Sequence, residues 1–97
     1  MVTNVTFRHF NGQHPELREM AIDHANGFEK FFDNIISTNV EFINESEKTV
    51  YIKVHVQGNT LFAKEGSDDF KKSLGIASDK MVRQLKKWKT KRLAKKY

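Results

Sequence analysis

Of the eighteen residues from Lys80 to Tyr97, nine are Lys or Arg and none is acidic. Side chains of this kind do one thing well: they neutralise phosphates and displace the counterions that phosphates condense. Lys80, Arg83, Lys87 and Lys91 recur at spacings of three and four, which sets them along one flank of a helix, while Lys86 and Lys89 fall on the other. Arg92 extends the run toward the C-terminus. A solvated helix face ordinarily interleaves Glu with Lys, because pairs four apart stabilise it and like charges four apart cost a few tenths of a kcal/mol. This stretch contains no Glu. The omission makes sense where phosphates supply the missing anions, and engagement of roughly 6–9 phosphates gives an affinity that falls steeply with salt. The cation is local: residues 1–79 hold eight Lys and Arg against twelve Asp and Glu, net −4, whereas 80–97 carry +9. A patch of this type suits an anionic polymer or an anionic membrane surface.

Other chemistry finds little to work with. There is no Cys, hence no thiol nucleophile, disulfide or zinc finger. His9, His14, His24 and His55 share no short metal-ligand spacing. Asp23-His24 are neighbours that point in different directions on a helix, with no Ser in a nucleophile elbow. Asp68 and Asp69 sit where a helix begins, and complementing the positive end of its dipole accounts for them. Neither a P-loop nor a GxGxxG motif occurs. The chain is therefore expected to be no enzyme, to hold no metal or cofactor and to bind no small-molecule substrate. No 18-residue apolar run and no signal-peptide pattern is present, which makes a cytoplasmic protein without a membrane span the expectation.

The elements that position the basic run follow from periodicity. "VTNVTFRHF" over 2–10 reads as a strand with Val5 and Phe7 inward and Thr6 and Arg8 outward. Pro15 opens one helix expected over 15–33, with Leu17, Ala21, His24, Phe28 and Phe31/Phe32 on an apolar face whose phase continues across Asn26-Gly27, the Gly costing about 1 kcal/mol relative to Ala. Residues 35–44 give a second strand facing the core with Thr38, Val40 and Phe42. In "TVYIKVHVQ", Val50, Ile52, Val54 and Val56 alternate with Tyr51, Lys53, His55 and Gln57, so one face is buried and one wet. Lys53 and His55 on that wet face are within a phosphate's reach. Gly58-Asn59 turns into a fourth strand, "TLFAKE". Ser67 is expected to cap a helix running over 67–96.

The order is β-α-β-β-β-α: an α+β two-layer sandwich, with two helices on one face of a four-stranded, mostly antiparallel sheet, in one domain over 1–97. Along the last helix Leu74, Ala77, Met81, Leu85 and Trp88 all fall within about 60° of Phe70. They make a core stripe, and Lys91, Arg92 and Lys95 stand where it would continue. A helix of thirty residues is about 45 Å long, and a body of some 80 residues is about 30 Å across. The segment from about 89 to 97 is therefore expected to overhang the sheet as a basic probe.

The segments "PELREMA…FEKFFDNIISTNVEF", "VHVQGNTLFAKEGSDDF" and "ASDKMVRQLKKWKTK" carry more than charge. They resemble the ribosome hibernation promoting factor family, also called ribosome-associated inhibitors and formerly sigma-54 modulation proteins. The resemblance spans about residues 3–92 and is strongest at Asp79, Lys80, Arg83, Gln84, Leu85, Lys87 and Lys89. It implies a β-α-β-β-β-α fold similar to a double-stranded-RNA-binding domain with an added strand. It implies binding to the small ribosomal subunit through 16S-type ribosomal RNA, in the channel of mRNA and tRNA, with translation inhibited in starvation or stationary phase. Lys80, Arg83, Lys87, Lys89 and Lys91 match the family's basic positions, and Arg8 matches a basic residue near the end of the first strand. Lys86 and Arg92 join them by charge. The family's first helix is usually Lys-rich in its middle, where this chain has "DHANG". That leaves Arg18, His24 and Lys30 as second-rank candidates, beside Lys53 and His55. The chain resembles the short form, which in the family favours pairing of ribosomes with the help of another factor.

Two readings stand beside this one. A general double-stranded-RNA module needs only basic residues and 2′-OH contacts, although such modules carry a Lys-rich helix start where this chain has "SDDF". A protein-interaction regulator of a sigma factor would bind at high salt, where RNA contacts weaken. A membrane-surface helix is least favoured, because its apolar stripe is expected to be buried against the sheet.

Overall fold

The structure, a computed structural model, describes residues 1–94, with side chains as far as Thr90. The elements are β1 (Val2–Arg8), α1 (Pro15–Phe28), β2 (Ile35–Asn44), β3 (Lys48–Val56), β4 (Asn59–Ser67) and α2 (Phe70–Ala94). The order is the one that periodicity predicts. The strands lie β1-β2-β3-β4 across one sheet. β1 and β2 run parallel, as a connection through α1 requires, and the other two pairings are antiparallel hairpins.

The sheet's inner face and the helices enclose one core. Val40, Phe42, Val50, Ile52 and Val54 from the strands meet Ala21, Ala25 and Phe28 from α1 and Leu74, Ala77, Met81 and Leu85 from α2. The α2 residues are fully buried, so the stripe is core. Trp88, half-buried, packs against its end. In β2 the buried positions Ile35 and Thr38 are an odd number apart. A shift in the ladder between Ile35 and Ser37 resets the alternation, and that bulge lets both face inward.

Four boundaries differ from the periodic reading. β1 stops at Arg8 because His9 adopts φ +63°, a left-handed conformation that ends extended pairing. α1 passes through Gly27 without a break but ends at Phe28, not residue 33. Successive tight bonds, Lys30 N–H to Gly27 O (3.1 Å) and Phe31 N–H to Phe28 O (3.0 Å), unwind the chain into a turn. That turn still delivers Phe32 to the core, which is why the apolar phase outlasts the helix. β4 extends to Ser67, so α2 begins at Phe70. Gly66 permits the extension: a Cβ there would lie 3.1 Å from Glu47 Oε2 and 3.2 Å from Thr49 Oγ1. The cap of α2 is consequently Asp69, whose Oδ1 accepts from the Lys71 N–H (3.2 Å). Ser67 ties the strand end to the helix instead, through Ser73 Oγ (2.6 Å).

α2 leaves the sheet after Trp88. Lys89 and Thr90 are exposed, and the helix continues to Ala94, about 1.7 turns past Trp88. The side chains of Lys91 and Arg92, and all of residues 95–97, lie outside the described residues.

Candidate nucleic-acid interface

Placement on α2 divides its polar side chains into two groups with different work. On the flank toward β4, Lys80 and Gln84 lean over the sheet edge. Lys80 Nζ pairs with Glu65 Oε1 (2.6 Å) and approaches Lys64 O (3.4 Å), and the Gln84 amide donates to Phe62 O. β4 is an edge strand, whose outward carbonyls would otherwise be unpaired in the ladder. These two residues cover it. Arg83, Lys87 and Lys89 are exposed and form no hydrogen bond or ion pair among the described residues. Lys86, on the opposite flank, stands 5.2 Å from the ring centroid of Phe31, which lies just past α1. Lys30 is exposed beside it.

Between α1 and α2 runs a groove of about 510 Å³ whose walls include Asp23, His24, Lys30, Phe31, Ser78 and Val82. His24 is thus half-buried in the interhelical groove and not on the outer surface. Arg18 Nη2 reaches Val5 O (3.4 Å) and fastens α1 to β1.

The remaining candidates occupy the other face of the sheet. Arg8 is held by both oxygens of Glu41 (3.0 and 3.2 Å). It stands opposite Ile43, near the β2–β3 turn, whereas Lys87 lies with Asn59, Leu61 and Trp88 near the β3–β4 turn. Arg8 and the α2 cluster therefore sit at opposite ends and on opposite faces. Lys53 and His55 share Arg8's face, and His55 Nδ1 contacts Thr60 Oγ1 (3.1 Å). Phe62 is also there, half exposed beside Lys53. Its strand phase marks it in the sequence, since Leu61 and Ala63 on either side point inward.

Charge is sorted along the molecule. Glu45, Glu47, Asp68 and Asp69 gather at the N-terminal end of α2, near the β2–β3 turn, beside Lys71, which pairs with Glu16, and Lys72, whereas the exposed Arg83, Lys87 and Lys89 of its C-terminal half follow the last acidic residue, Asp79. No helix is long and apolar enough to cross a membrane among the described residues.

The profile of the family described as sigma 54 modulation protein / S30EA ribosomal protein matches residues 3–93. A ribosomal subunit interface protein from Coxiella burnetii superposes with a TM-score of 0.84 at 26% identity, over 93% of this chain and 99% of that one. The N-terminal domain of Thermus thermophilus Protein Y superposes with a TM-score of 0.80 at 15% identity, over 91% and 99% of the two chains, and shares the fold. No curated protein sequence matches significantly.

Proposed function

The chain belongs to the sigma 54 modulation protein / S30EA ribosomal protein family, and from that premise we propose that it is a ribosome hibernation factor, a cytoplasmic protein that binds the small ribosomal subunit and blocks translation in starvation or stationary phase. Contact is made with 16S-type ribosomal RNA in the channel of mRNA and tRNA, by neutralisation of phosphates and without a catalytic step. The observation that carries this reading is α2 itself. Its buried stripe fixes the helix to the sheet, and Arg83, Lys87 and Lys89 are exposed with no ion pair among the described residues. Lys86 flanks them, and Lys91 and Arg92 continue the run. The likeness to a ribosomal subunit interface protein supports the same partner. Lys80 and Arg8 contribute less, because each first has to leave a carboxylate.

Sedimentation of cell extract through a sucrose gradient tests the proposal. At low salt the protein is expected with small subunits, and a variant with Lys87, Lys89 and Lys91 reversed to Glu stays at the top. Wild-type protein at the top of the gradient at low salt refutes the reading. Equal affinity for a plain RNA duplex and for the small subunit favours the general duplex-binding alternative.

A further inference from the structure

The open face of the sheet holds a feature that phosphate binding by α2 does not use. Phe62 is 49% exposed, and it is the one large aromatic ring so exposed among the described residues. It pairs across the ladder with Lys53, and Tyr51 pairs with Lys64. The four form a square in which aromatic and cationic side chains alternate, because residues two apart on a strand share a face about 7 Å apart. The Tyr51 and Phe62 centroids are 6.0 Å apart with planes at 58°. Rings so tilted touch without stacking face to face, and Phe62 stays half exposed beside Tyr51. Lys53 and Lys64 form no ion pair among the described residues. Two neighbouring carboxylates are occupied: Glu41, opposite Tyr51, by Arg8, and Glu65, next to Lys64, by Lys80; Glu45 and Glu47 line a cavity with Lys64 but form no ion pair with it. Edge protection accounts for Lys64. It does not account for an exposed Phe between two free lysines.

We propose that this square is a stacking platform for single-stranded RNA: Phe62 takes one base, Tyr51 the next, and Lys53 and Lys64 neutralise the phosphates alongside. The proposal rests on the reading that the chain meets RNA, and adds a second contact on the face away from α2. Unstacked bases alone present free π-faces, so the ligand is a single strand or a loop and not a duplex. A duplex on α2 leaves the platform empty, so one protein contacts two RNA segments.

The test uses the full chain, isotopically labelled for NMR, with a ten-nucleotide mixed-sequence single-stranded RNA and the matching duplex as probes. The single strand is expected to shift Tyr51, Lys53, Phe62 and Lys64. Phe62→Ala is expected to weaken it about tenfold, the loss of one base–aromatic stack, with Phe62→Tyr binding as wild type and duplex affinity unchanged in both. Lys53→Gln with Lys64→Gln, which keeps both rings, lowers the slope of log affinity against log salt by about 0.7 per lysine. Single-strand affinity unchanged in Phe62→Ala, or shifts confined to α2, overturns the platform. Cosedimentation with small subunits is measured on the same preparations. Its retention beside an unaltered Phe62→Ala affinity leaves the hibernation reading standing without the platform. Its loss beside intact platform shifts removes that reading and keeps the platform.

Discussion

The division of the α2 cations predicts different salt dependences for residues that look equivalent in sequence. Arg83, Lys87 and Lys89 are free, whereas Lys80 holds Glu65 at 2.6 Å and covers the edge of β4. Each free cation that meets a phosphate contributes about 0.7–0.9 to the slope of log affinity against log salt. The triple variant Arg83→Gln, Lys87→Gln, Lys89→Gln is therefore expected to lose about 2–2.7 of that slope. Between 50 and 150 mM salt the wild type then weakens roughly 10- to 20-fold more than the variant does. Lys80→Gln should leave the slope nearly unchanged, because its charge is already neutralised within the protein. The assay is equilibrium binding of labelled protein to purified small subunits over a salt series, with denaturant unfolding of each variant to show that the fold is kept. A triple variant that folds and retains the full slope refutes the argument. So does a Lys80→Gln slope as reduced as that of any one of the free three.

The same geometry gives the opposite sign at Glu65. Glu65→Gln releases Lys80, so RNA affinity at low salt is expected to rise, and unchanged or weaker binding in the titration counts against the pairing. Two serines on α2 make a matched pair. Ser73 is fully buried and donates to Lys48 O (2.6 Å); Ser73→Ala leaves that carbonyl unpaired and should cost about 1–3 kcal/mol in urea unfolding. Ser78 is buried with an Oγ that has no hydrogen-bond partner among the described residues; Ser78→Ala should be neutral or stabilising by about 0.5–1 kcal/mol, and a loss as large as that of Ser73→Ala contradicts the difference. Leu85→Ala, at a fully buried position next to the overhang, should cost about 2–5 kcal/mol by the same measurement. An exposed Leu85 would show a loss below about 0.5 kcal/mol.

What the sequence discloses about this molecule depends on whether a residue's partners are near in the chain or across the fold. The stripe from Leu74 to Leu85 and the alternation from Val50 to Val56 are periodic, so each states its own buried face, and both faces are as periodicity predicts. Boundaries are less legible because tertiary packing moves them. The apolar phase of α1 continues through Phe31 and Phe32, but a turn carries it. Ser67 has the chemistry of a cap, yet Gly66 lets β4 run on until Ser67 belongs to the strand and Asp69 takes the role. The basic run poses the harder case. Lys80, Arg83, Gln84, Leu85, Lys87 and Lys89 stand together in one motif, and charge alone separates only Gln84 and Leu85 from the rest. In the fold the motif performs three tasks: Leu85 is core, Lys80 and Gln84 close the exposed edge of β4, and Arg83, Lys87 and Lys89 remain available to a partner. Lys80 joins the second group because of Glu65, fifteen residues earlier and on another element, and no spacing rule within the helix could reveal it. Arg8 is set apart in the same way by Glu41. A basic residue counts toward an anionic partner only after the carboxylates of its own fold have been assigned, and on that count Arg83, Lys87 and Lys89 are the cations of the motif still available.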